Sequence, residues 1–139
     1  MELVFGEYKV SDDKALLSIF RIKELLAGTY WASDRTEEII GVSIESSDCY
    51  GVYLEGEMVG FARVVSDNAT MFWLCDVVIA EAHRGKGLGK KLVESVVCSD
   101  KYRNIRGILA TRDAHGLYEG FGFGKAEEGR FMMKPLYRS

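Results

Sequence analysis

The stretch from Met71 to Val97, MFWLCDVVIAEAHRGKGLGKKLVESVV, constrains the fold more than any other part of the chain. Its first ten residues are apolar except for Asp76, which predicts a strand covered on both faces, as a central strand is. From Leu88 onward, Leu88, Leu92, Val93, Val96 and Val97 fall on one side. Lys90, Lys91, Glu94 and Ser95 fall on the other, the pattern of an amphipathic helix. Between strand and helix lies HRGKGLG, with glycines at 85, 87 and 89. A buried strand, a tight turn and a helix in succession call for a layered α/β arrangement.

The flanking sequence fills in the layers. LVFGEYKV (Leu3 to Val10) predicts an opening strand. A helix follows, with Ser11 as N-cap, Asp12 and Asp13 at its positive end, Ile19, Ile22 and Leu26 at helical spacing, and Gly28 as its stop. A second helix runs from Thr36 to about Ser46, capped by Thr36 or Asp34. CYGVYLEGEMVGFARVV predicts a hairpin turning at Glu55-Gly56-Glu57, and SDNAT the next turn. RGILAT (Arg106 to Thr111) predicts a further buried strand. DAHGLYEGFGF predicts a short helix from about Ala114, ended by Gly120 or Gly122. RFMMKPL predicts a last strand, with Pro135 at an edge or strand end. The predicted order is β-α-α-β-β-β-α-β-α-β. This is an α/β (α+β) fold, one domain over residues 1–139, with helices on a mixed, mainly antiparallel sheet.

Composition narrows the function. A net charge of -3 argues against a protein that lives on nucleic acid. The apolar runs fall well short of the ~20 residues of a membrane span, and MELVFGEYKV lacks the basic start and long apolar core of a signal peptide. The expected location is the cytoplasm. Three scattered cysteines (Cys49, Cys75, Cys98) and two histidines suggest buried thiols and no metal site.

The glycine loop fails the two commonest nucleotide motifs. A G-x-x-x-x-G-K-[ST] loop built on Gly89-Lys90 would need glycine where Arg84 stands and a hydroxyl where Lys91 stands. G-x-G-x-x-G starts at Gly85 and Gly87 but meets Lys90 where the third glycine belongs. What survives is chemistry. Backbone N–H groups from Gly85 to Lys90 precede and open a helix, where no intrahelical acceptor exists and the dipole favours an anion. Arg84, Lys86 and Lys90 add positive charge, and a diphosphate suits the site. The plainer alternative is a tight loop with solvated lysines.

Arg84-Gly85-Lys86-Gly87-Leu88-Gly89 matches R/Q-x-x-G-x-G/A, and DAHGLYEGFGF resembles a helix carrying A-x-x-x-Y followed by G-F. These strings resemble the two motifs of the GNAT superfamily of N-acetyltransferases, over about residues 72 to 124, and the order of the other elements also follows that family. YWA, VGFAR, LCDV and LATRDAHGLY resemble one bacterial branch of undefined substrate. The resemblance implies two strands that splay apart at a cofactor cleft, with acetyl-CoA as cosubstrate. It implies that the backbone of Val77, Val78 and Ile79 takes the pantetheine arm and that the loop from Arg84 through Gly85, Lys86, Gly87, Leu88 and Gly89 to Lys90 takes the pyrophosphate. Where relatives commonly carry asparagine beside the pantetheine, this chain has Thr111, a shorter hydrogen-bonding group.

Acetyl transfer needs a neutral amine, donors for the thioester oxyanion and a proton for the departing thiolate. The donor expected here is a backbone N–H near Val78. Tyr118 matches the family's general acid, and a phenol with a pKa of about 10 can protonate a thiolate; by helix spacing alone it reads as a core aromatic. Asp76 is a candidate base, or else a carboxylate that orders the strand's backbone. His115 is a second candidate base. A Cys75 nucleophile with Asp76 and His115 is disfavoured, because adjacent strand residues point to opposite faces. Tyr30, Trp31 and Arg63 are candidates for an acceptor pocket opposite the cofactor; Trp31 also reads as core, and Arg63 could pair a substrate acid or an internal one. The expected activity is transfer to a primary amine of a small acceptor by a monomer or homodimer. A non-catalytic acyl-CoA sensor on the same fold is the alternative.

Overall fold

The computed structural model describes residues 1–136. Its strands are β1 (Glu2–Phe5), β2 (Tyr8–Ser11), β3 (Asp48–Leu54), β4 (Glu57–Ser66), β5 (Met71–Ile79) and β6 (Arg106–Ile108). They form one sheet in the order of the sequence. The pairs from β1 to β5 are antiparallel and β5–β6 is parallel. The helices are α1 (Ile19–Ala27), α2 (Glu37–Glu45), α3 (Leu88–Val97) and α4 (His115–Glu119). One sheet face packs on α3 and α4 through Val10, Val52, Val64, Phe72, Leu74, Leu92, Val96 and Tyr118. The other packs on α1 and α2 through Ile22, Leu26, Ile40, Phe61 and Val78. The mainly antiparallel α/β arrangement is the expected one, and among the described residues no helix is long and apolar enough to cross a membrane.

Several element boundaries differ from the sequence reading. The opening strand is a hairpin, because Gly6 adopts φ 60° and turns the chain so that Phe5 pairs with Tyr8. The first helix starts later. Ser11 stays in the sheet opposite Gly51, Asp13 caps a single 3-10 turn (Lys14–Leu16), and Ser18 caps α1 by accepting from the Arg21 N–H at 3.2 Å. Thr36 caps α2 as anticipated, accepting from Ile39 N–H at 3.2 Å. The expected strand to Thr111 ends at Ile108. The predicted last strand does not form. Residues 124–136 carry no regular element apart from a turn, and the Phe131 and Met132 side chains lie in the open, at 61% and 97% exposure. β6 is only three residues long, so it gives a neighbouring strand little ladder to extend.

Two irregularities create the site. β6 pairs only with Met71, Phe72 and Trp73, so β5 from Leu74 to Ile79 has no strand on that side among the described residues. β5 also bulges. Arg63 pairs Cys75 but Phe61 pairs Val78, leaving Asp76 and Val77 opposite Ala62, with Asp76 at φ 55°. The extra residue inverts the alternation of the strand. Phe72 and Leu74 belong to the α3/α4 core, whereas Val78 belongs to the α1/α2 core.

Candidate active site

The gap beside β5 opens into a cleft of about 580 Å³. Its walls are Val77 to Ile79, the loop from His83 to Gly89, the turn Gly28 to Trp31, and the segment Arg112 to Tyr118 that leads into α4. Alternation along β5 decides which peptide groups face it. The Ala80 N–H bonds the Val59 carbonyl at 2.8 Å, so the Val78 peptide also faces β4, and those of Val77 and Ile79 face the gap. The Ile79 carbonyl is taken by Arg84 Nε at 3.0 Å. A donor into the cleft is therefore the Val77 N–H rather than that of Val78, whose side chain lies buried under α1.

The glycine loop ends the cleft. Gly85 and Gly87 have φ of 79° and 80°, conformations that a side chain makes costly, and Gly87 is the N-cap of α3. Among the described residues, none of the N–H groups of Gly85, Lys86, Gly87, Leu88, Gly89 and Lys90 has an acceptor; the first helical bond is Lys91 N–H to Gly87. Gly89 is informative in a different way. Its φ is not left-handed, and a Cβ there would meet nothing nearer than Ile79 Cγ1 at 3.9 Å. Nothing among the described residues demands glycine at this position, and a small residue there keeps the backbone bare for an anion. A row of unpaired donors with bare backbone at a helix start fits a diphosphate. The loop cations are partly committed elsewhere: Arg84 Nε to Ile79, and Lys86 Nζ at 3.3 Å from the Tyr8 hydroxyl. Leu88 contributes backbone only, since its side chain is core. Lys90 is exposed on the first turn of α3.

Tyr118 lies on α4 between the cleft and the core, 9% exposed, with Phe123 edge-on at 6.1 Å. Its hydroxyl has no hydrogen-bond partner among the described residues. Burial, then the nearby Tyr30 and Asp113, push its pKa above the usual phenol value, so it holds its proton at neutral pH. Core aromatic and cleft-lining phenol, the two readings of Tyr118, coexist in one position.

Asp76 is buried and surrounded. It accepts from Trp31 Nε1 at 3.1 Å, Arg35 Nη1 at 2.6 Å and Arg63 Nε at 2.8 Å, and Arg63 Nη1 donates on to Ser47 Oγ at 3.0 Å. Arg63 is thus joined to an internal acid, away from the cleft wall. Trp31 is not a core residue; at 42% exposure its ring stands on the wall, edge-on to Tyr30 at 5.0 Å. Arg112 covers the other side, its guanidinium 3.8 Å from the Tyr30 ring centre while its N–H donates to the Tyr30 hydroxyl at 3.1 Å. The bulge also brings Cys75 toward Arg63, Arg35 and Asp76, so strict alternation does not hold there. Burial pushes the Cys75 thiol up to about 11, which leaves it protonated and a poor nucleophile.

Two predicted positions lie elsewhere. Thr111 and His115 line a second, larger cleft beyond β6, with Trp73 and Phe131. The Thr111 hydroxyl accepts from Ala114 N–H at 3.0 Å, shaping the approach to α4. Sequence reasoning gave no role to Arg35, which lies in no motif, nor to Arg112 and Asp113, which lie within LATRDAHGLY, nor to His83, whose signal was its place directly before Arg84. Among the described residues no three His, Cys, Asp or Glu side chains cluster as metal ligands.

Residues 45–125 match the acetyltransferase (GNAT) domain. A crystal structure of a GNAT-family protein from Xanthomonas campestris pv. campestris superimposes with a TM-score of 0.88 at 36% identity, over 96% of each chain. A Gibberella zeae protein named as an acetyltransferase is 30% identical over 64% of this chain and 62% of its own length. The spermine/spermidine N(1)-acetyltransferase of Bacillus subtilis is 35% identical over 52% of this chain and 57% of its own. The chain thus spans about three fifths of the length of these two relatives.

Proposed function

The chain belongs to the GNAT acetyltransferase family, and from that premise we propose that it moves an acetyl group from acetyl-CoA to a primary amine of a small acceptor by direct attack. The observation that carries this reading is the row of six unpaired N–H groups, at the end of an open strand edge, in one cleft with a protonated tyrosine. The loop amides from Gly85 to Lys90 hold the diphosphate, and the Val77 carbonyl and the Ile79 N–H pair with the pantetheine arm. The acceptor enters past Tyr30 and Trp31; a polyamine is one candidate, since a relative is named for spermine and spermidine.

The amine nitrogen attacks the thioester carbon. Negative charge gathers on the thioester oxygen, and the Val77 N–H donates to it there, where such a donor lowers the barrier most. The C–S bond breaks, the thiolate takes the Tyr118 proton, and the new amide nitrogen gives up its own proton to solvent. Asp76 is assigned a positioning part. It accepts from two guanidiniums and the Trp31 indole, and it does not line the cleft. Thr111 and Arg63 are left out of the site on their placement.

Thiol release from acetyl-CoA across an amine panel that includes spermidine tests this reading. Tyr118→Phe should lower kcat about a hundredfold, with acetyl-CoA binding unchanged. Tight binding of acetyl-CoA with no transfer to any amine would favour the non-catalytic sensor instead.

A further inference from the structure

Between β2 and the glycine loop lies a cluster that the catalytic steps do not use. The Tyr8 hydroxyl sits 2.9 Å from His83 Nδ1 and 3.3 Å from Lys86 Nζ. Tyr8 is buried in the sheet, and His83 stands edge-on to its ring at 5.7 Å. The donors and acceptors can be counted. A lysine ammonium only donates, so the hydroxyl oxygen accepts from Lys86. A buried phenol proton needs an acceptor of its own, and the atom within reach is His83 Nδ1. Nδ1 is then the acceptor of a neutral imidazole, and the ring proton sits on Nε2.

Nε2 has no partner among the described residues, and His83 lines the cleft beside Arg84 and Gly85, where the unpaired amides begin. We propose that His83 is a cofactor-binding residue: Tyr8 and Lys86 fix its tautomer so that Nε2–H donates to a diphosphate oxygen of coenzyme A. The inference rests on the coenzyme A reading of the cleft. It adds a side-chain donor to a site otherwise made of backbone, at the point where Arg84 Nε and Lys86 Nζ are committed to Ile79 and Tyr8.

Calorimetric titration of coenzyme A and 3′-dephospho-coenzyme A tests it, together with nitrogen-15 shifts of the imidazole. The chain has two histidines, so the His83 signals are assigned by comparison with a His115→Gln variant. The wild type should show a protonated Nε2 and a bare Nδ1, and the Nε2 signal should move when coenzyme A binds. His83→Phe should weaken both ligands about tenfold or more, the size of a hydrogen bond to a charged group. His83→Gln, whose amide nitrogen reaches the Nε2 position, should recover most of that loss. A protonated Nδ1, or equal coenzyme A affinity in wild type and His83→Phe, would overturn the proposal. A loss for coenzyme A with none for the 3′-dephospho ligand would move the contact to the 3′-phosphate and overturn the diphosphate assignment. Should the wild type bind neither ligand, the coenzyme A reading itself falls and the inference with it. The shift measurement needs no variant of His83, so a substitution that disturbs folding does not rescue the idea.

Discussion

At the scale of single residues, Asp76 shows how a side chain near the chemistry can serve architecture. A strand residue at φ 55° is costly for most side chains, and aspartate is among those that tolerate it. The carboxylate then gathers an indole and two guanidiniums from two separate parts of the chain, the turn before α2 and strand β4. Asp76→Asn would leave Arg35 and Arg63 facing each other without their counter-charge. The expected cost is about 3 kcal/mol of stability, measured by urea denaturation, because breaking a buried pair strands the remaining charges. Asp76→Ala would remove the acceptor of Trp31 as well, and the Trp31 emission should then move to the red. Undiminished stability would show that the network is dispensable. The sequence made Asp76 visible as a lone carboxylate in an apolar strand. It could not show the partners, because Arg35 and Arg63 lie 41 and 13 residues away and nothing local aims them. The same blindness explains Arg63, offered as a substrate contact, and Cys75, set apart from Asp76 by an alternation that the bulge cancels.

Among the elements, the strand–loop–helix unit was the most legible. Its burial pattern, its glycines and the helix face of α3 all follow from short-range rules, and the helix runs over Leu88–Val97 as the apolar spacing implies. Elements whose existence depends on pairing were less so. Leu3 to Val10 has the composition of one strand, yet one glycine at positive φ makes it a hairpin. Residues 130–136 have strand-like composition but form no strand, and the neighbouring β6 offers a ladder of only three residues. Gly89 offers a prediction at this scale. It sits in the first turn of α3 with open space where a Cβ would go. Gly89→Ala should therefore raise the stability of the free protein by up to about 1 kcal/mol, since alanine is the better helix former. The loop motif takes glycine or alanine at this position, so the alanine variant should keep coenzyme A binding, whereas Gly89→Asp should set bulk and negative charge against the diphosphate and abolish it. Thermal melts with and without ligand separate the effects: a higher Tm with an unchanged ligand-induced shift for the alanine variant, and no ligand-induced shift for the aspartate variant. An aspartate variant that binds coenzyme A as tightly as wild type would remove Gly89 from the site.

The whole molecule is a sheet packed on both faces, with one seam left open. β1 to β5 form a continuous antiparallel ladder, and β6 joins only the first three residues of β5. The rest of β5 keeps an edge that faces a cleft, with the glycine loop at one end and Tyr118 on its wall. No single residue produces this arrangement. It comes from the early end of β6, the bulge at Asp76 and the turn of the chain into α3, acting together. Acetyl-CoA is expected to lie lengthwise along this seam. A crystal structure of the complex with acetyl-CoA is the decisive test. Diphosphate oxygens should stand at about 3 Å from the amide nitrogens between Gly85 and Lys90, and the thioester oxygen at the Val77 N–H, with Tyr118 beside the sulfur. Acetyl-CoA seated in the other cleft, against Trp73 and Thr111, would contradict this placement.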